Sequence, residues 1–147
     1  MYLKNHIKMF DKLRKPIISN KRIHGIYPYY GAQGIIDFVD NYIFDGKYLL
    51  LAEDGNNLRT RTDDVSRIVK GKFWVNNHAH VIQTTEDLLL EYLSYFLNQT
   101  DLSGYITGSA QPKLNKENVE YIKINIPSLK KQQHIVNSIN CEVKYAC

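Results

Sequence analysis

The chain has 147 residues, 44% hydrophobic and 23% charged, with a net charge of +4 and a pI near 9.0. That length and balance fit one globular core and exclude a disordered chain. No apolar run approaches the roughly 20 residues that span a bilayer, and the basic N-terminus lacks the apolar block of a signal peptide, so an intracellular (cytoplasmic) protein without membrane association is expected.

Residues 2–15 read as an amphipathic helix: Leu3, Ile7, Phe10 and Leu13 follow helical spacing, Lys4, Lys8, Lys12 and Lys15 form a second stripe, and Pro16 stops it. The first 25 residues carry seven basic side chains against Asp11 alone, so the basicity is concentrated at this end. Strand-like runs follow at Ile26–Tyr30, Ile35–Val39 and Lys47–Ala52. Asp45-Gly46 predicts a tight hairpin between Tyr42–Phe44 and Lys47–Leu49. The polar stretch 53–64 predicts an exposed loop. Ser66–Val69, Phe73–Val75 and Ala79–Gln83 resume strand character, with a turn expected at Lys70-Gly71-Lys72.

A helix is predicted from an N-cap at Thr85 to Asn98, with Leu89, Leu93, Phe96 and Leu97 on its apolar face. The run Thr107-Gly-Ser-Ala-Gln-Pro-Lys-Leu-Asn115 reads as a tight turn with Asn115 capping a short helix through Val119. Tyr121–Ile126 alternates like a strand, and Ser128 caps a last helix. In that helix Leu129, Val136 and Val143, with Gln132, Ile139 and Ala146, form a short heptad pattern open either to the domain's own core or to a partner helix.

Enzymatic readings find little support. Neither a phosphate loop nor a dinucleotide fingerprint is present. Cys141 and Cys147 can build neither a disulfide framework nor a four-ligand zinc site. His78 and His80 would share one strand face, but no third ligand has a familiar spacing. A metal-dependent nuclease would need clustered carboxylates, for which Asp37 and Glu53 are the candidates, yet Lys47 precedes Glu53 rather than following it. Ser109 has no histidine or acid at a triad spacing. No cofactor or metal is expected. DNA readout needs cations for phosphates and forked or amide side chains for base edges. Asn56, Asn57, Arg59 and Arg61 supply that inventory in one loop, Arg67, Lys70 and Lys72 extend it, and Gln33, Gln111 and Lys113 add to it.

Several segments in order resemble one family. Tyr27-Pro-Tyr-Tyr-Gly-Ala-Gln-Gly-Ile-Ile-Asp37, Phe44–Gly55 and Lys72–His80 resemble the opening of a target recognition domain of type I restriction-modification specificity subunits. Gly108–Asn115 followed by Ile124–Leu129 resembles its closing signature, and Gln132–Val136 the start of its helix. The resemblance implies an α+β (mixed α/β) fold with a curved, mainly antiparallel sheet, flanking helices and a C-terminal helix. It implies a non-catalytic domain over 1–127 that recognises double-stranded DNA, with 128–147 beginning a dimerisation-type helix. Methyltransferase and restriction subunits are the implied partners, and a homodimer through the last helix is a further expectation. The chain reads as a half subunit, an orphan module or a fragment. The competing reading is a protein-interaction module that assembles with, or interferes with, those subunits.

Overall fold

The computed structural model describes the backbone of residues 1–145 and the side chains of residues 1–140. The first segment is not a helix. Leu3–His6 forms a single 3-10 turn, Ile7–Met9 is strand β1, and Asp11–Leu13 is another 3-10 turn. A lone helix of about fourteen residues is marginal in water, whereas here the backbone finds sheet partners. Phe10 N donates to Val81 O at 2.8 Å, Lys15 N to Val75 O at 3.1 Å and Leu3 N to Ile122 O at 2.8 Å. Lys4, Lys8, Lys12 and Lys15 are exposed but form no helical stripe.

Two further strands follow, β2 (His24–Gly31) and β3 (Gly34–Val39), close to their predicted places. Then β4 (Phe44–Ala52) and β5 (Ser66–Val75) run antiparallel along their whole length, and β6 (Ala79–Thr84) pairs with the other side of β4. Among the described residues the strands form one sheet in the order β1-β6-β4-β5-β2-β3, with β2 and β5 parallel and the other neighbours antiparallel. The fold is α+β, as expected.

Neither predicted turn exists. Gly46 lies opposite Gly71 inside the β4–β5 ladder, with φ of 148° and 100°. The two glycines bend a continuous pair of strands instead of reversing them. Chain length requires that bend. Phe73 pairs with Phe44 and Ala79 with Ala52. Phe44 to Ala52 would span roughly 27 Å if straight, but six residue steps from Phe73 to Ala79 reach about 22 Å at most. The sheet therefore curls.

Curling produces two cores. On one face Phe44, Leu50, Val69, Phe73, Val75 and Val81 pack together, with Phe10 and Tyr48 edge-on. On the other face Leu49, Leu51 and Ile82 meet the helical layer. That layer holds α1 (Asn57–Thr60), inside the predicted loop, α2 (Leu90–Gln99), α3 (Lys116–Glu120) and α4 (Leu129–Tyr145).

Helix α2 starts later than predicted, at an N-cap position held by Leu89. Thr85 instead donates its hydroxyl to His6 O and Asp87 Oδ1. Gln132 of α4 takes over as the fastener. It is 0% exposed, its Oε1 accepts from Leu89 N at 2.8 Å, and its Nε2 donates to Asp87 O and Pro127 O. Asn98 accepts from Val65 N and Ser66 N and donates to Ser66 O, tying the end of α2 to β5. Asn115 caps α3 as expected, accepting from Asn118 N at 2.8 Å. Lys131 N donates to Ser128 Oγ at the start of α4. Tyr121–Ile126 keeps the predicted alternation, with Ile122 and Ile124 buried, but makes only the isolated bridge Tyr2↔Lys123. In α4, Gln132 and Val136 are buried towards the domain, whereas Leu129 is 46% exposed. Val143 and Ala146 of the heptad, with Cys141 and Cys147, lie outside the described side chains.

Candidate nucleic-acid interface

Gly31-Ala32-Gln33-Gly34 joins β2 to β3, and the β2–β3 tip stands beside the chain that leaves β4 at Asp54–Asn57. Between them lies an open cleft of about 550 Å³, also lined by Ile36, Asn76, His78 and Gln111. Four of the sequence-predicted residues meet there: Gln33, Asn56, Asn57 and Gln111. Gln33, Asn56 and Gln111 are exposed and make no side-chain hydrogen bond within the described residues, so their amides are free to meet a ligand. Asn57 is different: it is buried, and both ends of its amide bind the backbone of Asp63 at 3.0 Å.

The cations are spread more widely. Arg59 is exposed and donates to Gly108 O. Arg61 adopts a left-handed conformation, with φ of 53°, and its guanidinium binds Leu97 O and Asn98 O at the C-terminal end of α2. Both arginines line a second hollow, away from the amide cleft. Arg67 Nη1 lies 3.1 Å from the place where a Cβ on Gly34 would sit, so this guanidinium borders the β2–β3 tip. Lys70 and Lys72 are exposed on β5, with Lys72 over the Tyr42 ring at 5.1 Å. Lys113 is exposed, and its backbone bridges to both Asp54 and Thr107.

The run Thr107–Asn115 builds one wall of the cleft. Thr107 and Lys113 exchange two backbone hydrogen bonds of 2.8 Å, closing the loop between them. At Gly108 φ is 86°, and a Cβ there would lie 2.2 Å from Gln111 O, so this turn accepts only glycine. Gly55 N donates to Pro112 O and Leu114 N to Glu53 O. The clip therefore holds the Asp54–Asn57 loop and presents Gln111 beside it.

Beneath the cleft lies a buried latch. His80 is 0% exposed; its Nδ1 is 2.7 Å from Asp11 Oδ2 and its Nε2 is 2.6 Å from Leu114 O. Burial pushes the Asp11 carboxyl up, but His80, the Val81 N–H and Arg14 outweigh it and hold the group below the usual carboxylate range. Arg14 binds Glu53 at 3.1 Å and Ala79 O at 2.9 Å. This arginine is a structural hub that joins the N-terminal segment to the start of β6 and to the end of β4. Ligand atoms of Asp11, Glu53 and His80 lie within 4.8 Å of one another, yet both imidazole nitrogens and Glu53 are already engaged. The set reads as a closed hydrogen-bonded network.

The other chemical candidates separate in space. His78 and His80 do not share a strand face: His78 precedes β6, is exposed, and pairs with Asp54 at 2.8 Å. Asp37, on the edge strand β3, meets Arg22 at 3.4 Å, while Glu53 belongs to the latch, so the two carboxylates of the nuclease reading have separate partners. Sequence reasoning missed Asn76, Asp54 and Ile36 as cleft residues. The polar pair Asn76-Asn77 between two strands was the available signal for the first.

A cleft lined by exposed, unpartnered amides beside the β2–β3 tip is the geometry of a recognition module. Comparison with known proteins agrees. Residues 7–140 match the family model described as the type I restriction modification DNA specificity domain. The chain belongs to that family. It is 37% identical over 131 residues to a Haemophilus influenzae protein described as a type I restriction enzyme specificity subunit, covering 88% of this chain and 33% of that one. It is 30% identical over 119 residues to the Escherichia coli type I restriction enzyme EcoprrI specificity subunit, covering 81% and 28%. The chain thus spans about a third of the length of the curated relatives it matches. In fold it resembles the crystal structure of a type I restriction-modification S subunit from M. genitalium, with a TM-score of 0.77 at 10% identity, over 98% of this chain and 38% of the other.

Proposed function

We propose that the chain recognises a short double-stranded DNA sequence and performs no chemistry on it. The observation that carries this reading is the meeting of three unpartnered amides, Gln33, Asn56 and Gln111, in one cleft of a DNA specificity domain. Amides of this kind pair with base edges, while Arg59, Arg67, Lys70, Lys72 and Lys113 are the cations available for phosphates. Arg61 and Asn57 support the reading loop from within. Selection from a random duplex library, followed by titration at several salt concentrations, tests the proposal. An enriched motif with affinity falling as salt rises is expected. No enriched sequence and no salt dependence would overturn it.

The relatives are named as specificity subunits of restriction enzymes, which supports methyltransferase and restriction subunits as partners of this chain too. In that arrangement residues 1–127 read DNA inside the cell and α4 begins the helical connection to the assembly. A homodimer through α4 draws support from the exposed Leu129 alone, since Gln132 and Val136 of the heptad pack on the domain itself. Light scattering would read it as a doubled mass.

One observation favours the protein-interaction reading. The edge strand β3 exposes Ile35, Ile36 and Phe38 beside its unpaired backbone. Pull-down with methyltransferase subunits, compared between the native chain and Phe38→Lys, tests it. Equal recovery of both would remove β3 as the contact.

A further inference from the structure

The floor of the cleft holds one amide that differs from the others. Asn76 is only 6% exposed. Its backbone N–H donates to Tyr30 O at 3.0 Å, and its Oδ1 accepts the His78 N–H at 2.8 Å. That second bond decides the orientation of the amide: Oδ1 is occupied, so Nδ2 is the free end. Nδ2 has no hydrogen-bond partner among the described residues, and no buried side-chain nitrogen or oxygen there is left unsatisfied. The NH₂ group is therefore open to the cleft that Asn76 lines. Gly31 keeps the approach clear, since a Cβ on it would come to 3.4 Å from Nδ2.

Gln33, Asn56 and Gln111 can turn either end of their amides towards a ligand. Asn76 cannot. It is a fixed donor, already ordered by the fold, so a partner meeting it incurs little further loss of side-chain freedom. A fixed donor selects an acceptor. At their major-groove edges guanine offers N7 and O6, adenine N7 and thymine O4, whereas cytosine offers only its N4 donor.

We infer that Asn76 meets the major groove and is a specificity-determining residue that requires an acceptor-bearing base at one position of the DNA half-site and rejects cytosine there. The inference rests on the DNA-recognition proposal and adds to it the residue that decides one position. Cytosine facing Asn76 would leave two donors opposed, a discrimination of about tenfold or more.

The test uses random-duplex selection with the native chain, Asn76→Asp and Asn76→Ala. The Asp side chain has the same shape; one oxygen still accepts from His78 and the other turns the donor into an acceptor. In the native chain, one position of the enriched motif should show cytosine depleted about tenfold. Asn76→Asp should favour the bases with a major-groove amine, cytosine and adenine, at that position alone and so lift the depletion of cytosine, and Asn76→Ala should flatten the preference there. The added charge of Asp weakens all duplexes evenly through phosphate repulsion and leaves base preference unmoved. If the Asn76 variants do not fold, Gly31→Ser puts a hydroxyl against Nδ2 and should also erase the bias against cytosine. A native motif kept unchanged by folded variants, checked by circular dichroism and melting temperature, overturns the assignment of Asn76. A native chain that enriches no sequence overturns the DNA-recognition proposal itself.

Discussion

Gly46 and Gly71 face each other across the β4–β5 ladder, both at positive φ. Each sits in a conformation that side-chain-bearing residues adopt only with strain of about 1–3 kcal/mol. Gly46→Val and Gly71→Val should each lower stability by about that amount, read as a fall in melting temperature. A melting temperature equal to that of the native chain in both variants would show that the bend does not depend on glycine.

His80 joins three segments distant in sequence: Asp11, its own strand β6 and the Leu114 carbonyl. Replacing it by Leu strands the Leu114 carbonyl and takes one partner from the Asp11 carboxylate, which keeps the Val81 N–H, so His80→Leu should cost about 1–3 kcal/mol. Denaturant unfolding measures this directly. A loss below about 1 kcal/mol would mean that the network relaxes around the gap.

The lowered Asp11 carboxyl also makes stability depend on pH. A carboxyl held low in the folded state contributes stability that is fully present above its unfolded value, near pH 4, and is lost as pH falls through the lower folded value. The stability difference between the native chain and Asp11→Asn should therefore narrow on acidification below about pH 4. A difference that stays constant from pH 7 to pH 3 would contradict the assignment.

Gln132, with no solvent exposure, ties α4 to the segment that enters α2 through two hydrogen bonds, to Leu89 N and Asp87 O, and binds Pro127 O just before α4 with a third. Gln132→Leu keeps similar bulk but strands Leu89 N–H and two carbonyls, and should cost about 2–3 kcal/mol. Hydrogen exchange offers the sharper readout. The Leu89 amide should lose protection, and an unchanged rate there would be incompatible with the proposed role.

Base-edge and phosphate-binding residues should separate in titrations. Alanine at Gln33 or Gln111 should weaken the preferred duplex by about 1–3 kcal/mol and barely change non-specific binding. Alanine at Lys70, Lys72 or Lys113 should weaken all duplexes alike, and removing each phosphate-bound cation should reduce the salt slope by about 1. Equal effects of both sets on every duplex would remove the distinction drawn between them.

Local chemistry in the sequence settled the strands around Tyr29, Phe38, Leu50 and Val81, the cap at Asn115 and the turn at Gly108. Each depends on interactions within a few residues or on a strong β preference. The ordered motifs also marked the family, and three amides proposed from the sequence, Gln33, Asn56 and Gln111, line one cleft. Long-range pairing decided what local pattern could not. Leu3–Leu13 has helical spacing, but β6 and the Ile122 segment offer its backbone better partners. Asp45-Gly46 has the chemistry of a hairpin, but chain length between Phe73 and Ala79 makes it a bend. Arg61 and Asn57 look like surface ligands in sequence, and the fold turns them inward as fasteners, Arg61 on the Leu97 and Asn98 carbonyls and Asn57 on the backbone of Asp63. Asn76 shows the reverse. Its sequence neighbourhood is an ordinary polar link, and only the closure of the β2–β3 tip over the β5–β6 connection leaves one end of its amide bound and the other facing the cleft.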